Sequence, residues 1–357
     1  MSRLQKLQPS LSALDLDGLL ITTAENRRYL SNFTGSTGVL LIDPNEKSYL
    51  VTDFRYWEQV GQEVTDFSLS KSGPHLWQSV VELIKQLKWE KVGFEAASLS
   101  FQEYQTLNAM LPSAVKLVPT QDLVEKQRWV KDETEIETLA KAAQITDLAW
   151  EKALALVKPG IAERELALEF DYQLRAHGAD GSAFTTIVAS GWRSALPHGT
   201  ASDRKLNLGE YLLLDGGAVY KGYHADMSRT VTLGKASAEQ QRIYQLVLEA
   251  QELALADLKA GQIGSAVDAV ARAFIEKHGF GSNFGHGLGH SVGLNIHESP
   301  RLSITESNPI PNGAAITVEP GIYLPGWGGV RIEDLVIVTT DGVRNLTGSP
   351  KQDLIEL

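Results

Sequence analysis

The 357-residue chain contains no cysteine. That absence excludes disulfides, thiolate metal sites, iron-sulfur clusters and cysteine nucleophiles together, so any metal has to be held by histidine and carboxylate. Long apolar runs are missing as well. No stretch of about 18 apolar residues occurs, and the opening MSRLQKLQPSLSALDLDG has neither an unbroken apolar core nor a small-residue cleavage site. A cytoplasmic protein is the expectation, with no membrane partner. Positive charge is also in short supply. Thirty-three Lys and Arg face 44 Asp and Glu, a net charge of -11, which argues against nucleic acid and anionic lipid because both require a concentrated basic surface.

What is present suits a folded chain: 43% apolar residues fill ordinary cores, and 22% charged residues fall below what disorder needs. At about 150 residues per domain the length implies two domains or one large one. The acidity is uneven. Residues 1–130 carry 13 basic and 15 acidic side chains, net -2, whereas residues 131–357 carry 20 and 29, net -9. Carboxylates are therefore concentrated in the second part of the chain.

Residues 18–53 alternate short apolar runs (GLLITT, GVLLID, SYLVTD) with Asn, Gly and Pro clusters, the pattern of sheet strands. Leu76, Val80, Val81, Ile84 and Leu87 have helical spacing, and KVGF returns to strand. Residues 1–128 thus read as a small α/β domain and 129–357 as a second domain. A long helix is predicted to start at DETEIETL, where acids complement the helix dipole, and to run to Lys158-Pro159-Gly160.

The second domain contains a repeat. VKPGIAERELALEFDYQLRAHG (157–178) and LKAGQIGSAVDAVARAFIEKHG (258–279) are the same length, start with Lys and Gly, end in His-Gly, and each precedes a glycine-rich strand region. His177 and His278 read as helix-end residues. After the first copy, EYLLLDGGAVYKGYHADMSRTVTLG places Asp215 and Asp226 on two strands joined by a Gly-rich turn. After the second, AAITVEPGIYLPGWGGVRIEDLVIVTT places Glu319 and Glu333 in the corresponding places, at offsets of 104 and 107 residues. An Asp ending an apolar run is costly to bury unless a cation compensates it. Four carboxylates brought together by a pseudo-twofold axis would repel one another, and two divalent cations would neutralise them.

The segment FGHGLGHSVGLNIHESP adds His286, His290 and His297. Its glycines argue against the helical zinc motif. In an extended segment His290 and His297 would face opposite ways unless a turn at Gly293 intervenes, making one a ligand and the other a substrate group. Four carboxylates and one imidazole form a hard donor set suited to manganese, with cobalt or zinc as alternatives, and a two-metal site of this kind is equipped to activate water for amide hydrolysis. A competing motif is Gly289-His290-Ser291-Val292-Gly293, which matches the G-x-S-x-G elbow of serine hydrolases. The elbow needs an apolar strand before it and a helix after it, and this copy has neither a suitable approach nor room for the acid between Ser291 and the next His.

The blocks SALPHG, LLLDGG, ADMSRT, GHGLGHSVGLNIHE, TVEPGIY and VRIED, in that order, resemble the prolidase and aminopeptidase P metallopeptidases, and NRRYLSNFTGS and VTDFRY resemble the small domain of that family. The resemblance implies a creatinase-like α/β N-terminal domain followed by an α+β pita-bread catalytic domain with an internal pseudo-twofold repeat. It implies a cytoplasmic homodimer that cleaves small peptides with proline in second position, as dipeptidase or aminopeptidase. It further implies that Asp215, Asp226, His290, Glu319 and Glu333 bind two divalent metals, with Asp226 and Glu333 shared and Glu319 shuttling a proton from water to the leaving nitrogen. His198 and His297 would contact substrate, Arg331 would orient a ligand carboxylate or the substrate terminus, and Arg301 would bind a free C-terminal carboxylate. Ser291 stands where many relatives have Gly. Asp203, Arg229, Tyr223 and His286 are expected to support or pack, and His75 and His224 to be structural or solvated. The rival from another class is a non-catalytic pita-bread binding module, which would not need the ligand set to be complete. Bound metal of about zero rather than about two ions per chain would mark that module, and a metal-free creatinase-like hydrolase is distinguished by the same count.

Overall fold

A computed structural model describes residues 1–45 and 47–357. The chain forms two compact units, Met1–Arg128 and Trp129–Leu357.

In the first unit, strands Gly18–Ile21, Val39–Ile42 and Tyr49–Thr52 form where the alternating apolar runs lie. They join Ser68–Lys71, Lys91–Glu95 and Lys116–Thr120 in a six-stranded mixed sheet. Gly18–Ile21 sits inside this sheet, antiparallel to Val39–Ile42 and parallel to Lys91–Glu95. Burial on both faces explains why it is apolar throughout. The helix Leu76–Leu87 packs Val80, Val81 and Ile84 onto the sheet. The helix Ala24–Ser31 was not expected from the sequence. It buries Asn26 and Arg27, whose guanidinium donates to the carbonyls of Gly35 and Gly38, so it lacks an apolar stripe.

The second unit is α+β and duplicated. Helices Glu133–Leu154 and Glu163–Ala176 belong to the first half, Ala238–Asp257 and Gly264–Lys277 to the second. The long helices start from equivalent capping boxes, Asp132 with Glu135 and Ser237 with Gln240, each satisfying two otherwise unpaired donors. The short helices both end in histidine, with His177 Nδ1 and His278 Nδ1 against the carbonyls of Gln173 and Phe274. Glu133–Leu154 stops before the Lys158-Pro159-Gly160 signal because the chain already turns over Ala155–Val157, whose amides bond back to Glu151, Ala153 and Leu154.

Each half contributes antiparallel strands beneath its helices. Ile187–Ser190, Tyr211–Gly216 and Met227–Thr232 form one sheet. Gly289–Ser291, Ala315–Val318 and Asp334–Val338 occupy equivalent neighbouring places in the other. Two large apolar clusters fill the unit, one led by Leu139, Trp150, Phe170 and Leu214 that also takes in Val292, Ala315, Leu335 and Ile337 of the second half, the other led by Ile243, Val247, Phe284 and Ile316. The connection between the two aspartate strands is longer than a simple turn, since residues Ala218–Tyr220 and Tyr223–His224 form a small hairpin of their own.

Candidate metal centre

Asp215 lies near the end of Tyr211–Gly216, opposite Ser228, and Asp226 immediately precedes Met227–Thr232. Their proximity depends on Gly217. A Cβ there would lie 1.7 Å from the Ala225 carbonyl oxygen, so only glycine lets the two arms approach this closely. In the second half Glu319 follows Ala315–Val318 and Glu333 precedes Asp334–Val338. Gly289 performs the equivalent service for the histidine strand, since a Cβ would lie 1.9 Å from the Thr317 carbonyl oxygen.

These placements bring the five residues to one cavity of about 660 Å³, which His198, His297, Arg301 and Arg331 also line. One carboxylate oxygen each of Asp226 and Glu333 and one ring nitrogen of His290 lie within 4.8 Å of one another. His290 Nε2 stands 3.6 Å from Asp226 Oδ2 and 3.4 Å from Glu319 Oε1. Its Nδ1 faces the Ser291 carbonyl at 3.1 Å, which fixes the tautomer and leaves Nε2 with its lone pair toward the carboxylates. Asp215 is held by Arg331 Nη2 at 2.6 Å.

Burial raises the proton affinity of the four carboxylates. Desolvation, then the charges of Asp215 and Glu319, push Asp226 well above the ordinary carboxylate range. Glu333 is raised by desolvation and by Asp226, Glu319 and Asp215. Glu319 is pushed up to about 7, chiefly by desolvation. Asp215 is raised by desolvation although Arg331 opposes it. Burial lowers His290 to about 3, keeping it neutral. Burial also opposes the charge of Arg331, but Tyr323, Asp215, Glu319 and Glu333 outweigh it. Asp215 Oδ1, Asp226 Oδ1 and Glu333 Oε1 are buried without a hydrogen-bond partner. Each such orphan costs on the order of 1–3 kcal/mol unless something satisfies it. Orphaned carboxylate oxygens beside a neutral imidazole are the donor set a divalent cation requires.

The other residues singled out by the sequence have defined places. The chain between His290 and His297 turns, with the Gly293 amide donating to Asn295 O at 3.0 Å, and brings the two rings to 4.5 Å between centroids at 74°. They face the same cavity rather than opposite ways. Ser291 is no nucleophile elbow: it ends a strand, is buried, and donates to the Pro300 carbonyl at 2.8 Å. Arg331 is fully engaged, with Nε on Ser228 Oγ at 2.7 Å and Nη1 on Tyr323 OH at 3.0 Å besides its bond to Asp215. Arg229 bonds the Glu333 and Ser349 carbonyls and Asp334. His286 Nε2 meets Tyr323 OH at 2.8 Å, and Tyr223 donates to Glu135. Asp203 pairs with Arg164 at the surface, His224 Nδ1 faces the Gly293 carbonyl, and His75 precedes the helix Leu76–Leu87.

Two supporting residues were missed. Ser228 Oγ accepts from Arg331 and donates to Glu333 Oε2 at 2.8 Å, and Thr317 Oγ1 receives the His290 amide at 3.0 Å and donates to Glu319 Oε1 at 3.2 Å. Both stand two residues from a carboxylate, Ser228 after Asp226 and Thr317 before Glu319. Period-two alternation puts such neighbours on one strand face, and that signal was available.

The model of metallopeptidase family M24 matches residues 137–340, and that of the creatinase/prolidase N-terminal domain matches residues 3–130. The Xaa-Pro dipeptidase of Pyrococcus furiosus is 36% identical over 98% of this chain and 99% of its own. The structure of the Xaa-Pro dipeptidase from Bacillus anthracis is similar with TM-score 0.96 and 41% identity, covering 99% of both chains. That of the X-Pro aminopeptidase from Thermotoga maritima MSB8 gives TM-score 0.90 and 38% identity over 97% of this chain and 99% of the other.

Proposed function

Because the chain belongs to metallopeptidase family M24, we propose that it hydrolyses the peptide bond between an N-terminal residue and proline, using two divalent metal ions held by Asp215, Asp226, His290, Glu319 and Glu333. The observation that carries this is the set of orphaned, buried carboxylate oxygens beside His290 on a cavity that His198 and His297 also line. In this reading residues 1–128 are the creatinase-like domain and residues 129–357 the catalytic one. Manganese is the proposed ion because four carboxylates and one imidazole form a hard donor set, and a cytoplasmic homodimer is the proposed form; elemental analysis checks the ion and light scattering the oligomeric state.

Bound divalent ions would supply Lewis acidity to water and to the scissile carbonyl. The chain's own residues do the rest. Arg331 fixes Asp215, and Thr317 fixes the Glu319 carboxylate that accepts and returns the proton. His198 and His297 donate hydrogen bonds to the oxygen on which charge develops. Arg301, on the cavity wall, receives the C-terminal carboxylate of a dipeptide. Glu319→Gln should lower Ala-Pro turnover with added manganese by about 10²–10⁴-fold, and unchanged turnover would sink the assignment. The same assay with Ala-Pro-Ala separates dipeptidase from aminopeptidase, with the dipeptide expected to be preferred.

A further inference from the structure

His297 is exposed, and its ring makes no hydrogen bond among the described residues; its contact is the edge-to-face one with His290. Its aim therefore depends on the loop that carries it. Directly after it comes Glu298, the first residue of the strand Glu298–Leu302. His297, in the bend before that strand, lines the cavity, while the Glu298 side chain is buried beneath the loop. There it meets Lys131, whose Nζ donates to Oε2 at 3.2 Å, with both side chains nearly inaccessible at 1% and 6% exposure.

The carboxylate is also tied to the loop itself. Oε1 accepts from the Asn295 amide at 3.1 Å, and the group packs so tightly over Gly293 that a Cβ there would lie 2.7 Å from Oε1. The Gly293 carbonyl is held in turn by the His224 amide at 2.8 Å. Lys131 is a fixed post, because its amide donates to Gly313 O at 2.9 Å and the next residue, Asp132, caps the helix Glu133–Leu154. A buried ion pair adds little net stability over apolar residues of the same size. What this one supplies is a defined location for the loop.

We propose that the buried Lys131–Glu298 pair is a positioning device for His297, setting the loop that presents this imidazole to the substrate. Lys131 and Glu298 touch no reacting atom and act through His297. The inference rests on the reading that His297 contacts substrate.

The test is a set of cycles in the metal-loaded enzyme with Ala-Pro as substrate, combining Glu298→Gln and Lys131→Met each with His297→Ala and measuring bound metal alongside kcat/KM. Glu298→Gln keeps the side-chain shape and the acceptor for Asn295 but turns an amide donor toward Lys131. It should lower kcat/KM about 10–100-fold with His297 intact, leave bound metal unchanged, and cost about twofold or less once His297 is alanine. Lys131→Met should behave likewise, and if it fails to fold Glu298→Gln carries the test. Losses that multiply with that of His297→Ala, a loss of metal, or a Glu298→Gln rate within about twofold of the parent overturn the inference while leaving the site intact. A His297→Ala variant with full activity overturns the assignment of His297 and this inference with it.

Discussion

Glu333 and Asp334 are adjacent acids, both buried, yet their ionisation is driven in opposite directions. Desolvation raises Glu333, and Asp226, Glu319 and Asp215 raise it further. Desolvation would raise Asp334 too, but Arg229 and Lys351 outweigh it and hold its carboxyl below the usual range. The pleat explains the difference, since alternate side chains leave a strand on opposite faces. One acid turns to the carboxylate cluster, the other to two cations at 2.7 and 2.5 Å. Removing the second charge strands both cations, so Asp334→Asn should cost about 3–5 kcal/mol in urea denaturation. Asp334 has a depressed folded-state pKa. Its contribution is present above its unfolded value of about 3.9 and is lost as pH falls through the folded one. The deficit of the variant should therefore shrink only in acid. None of this polarity could be read from the dipeptide Glu-Asp, because Arg229 and Lys351 are remote in sequence. The four carboxylates around the cavity were legible because they stand at the ends of strand runs and recur at matched offsets, whereas His290 has no counterpart in the first half and stood out only through its glycine-rich segment and the family resemblance.

At the level of elements, the site is a product of duplication in which the same supersecondary unit supplies two carboxylates twice. The strand runs, the helix Leu76–Leu87 and the matched short helices were readable from period and punctuation. The helix Ala24–Ser31 was not, because hydrogen bonds from a buried Arg27 replace the apolar stripe that periodicity detects. Nor was the small hairpin within the aspartate connection, whose strands are too short to show a pattern. The closeness of Asp215 to Asp226 rests on Gly217, where backbone rather than a flexible side chain fills the space a methyl would need. Gly217→Ala should force the strands apart. The expected outcome is a chain that keeps its helical circular dichroism but binds manganese at least about tenfold more weakly by calorimetry. Affinity equal to the parent would show that the close approach is unnecessary.

Across the molecule, the uneven acidity of the sequence has a location: four of the acids of the second unit line one cavity. Asp226 and Glu333 have raised folded-state pKa values in the metal-free protein. Such groups contribute stability that is present below their unfolded values of about 4 and is lost as pH rises through the folded ones. Metal binding requires them ionised and so gains from rising pH. The melting temperature gained on adding manganese should therefore be larger at pH 8 than at pH 5.5, and a gain independent of pH would show that these carboxylates do not hold the ion.

Stripping the protein with a chelator and following Ala-Pro hydrolysis as manganese is returned decides whether this cavity is a two-metal peptidase site. Hydrolysis should be negligible without metal and climb to a plateau near about two ions per chain. Full hydrolysis by the stripped protein, or none at any manganese concentration, would contradict a two-metal peptidase site.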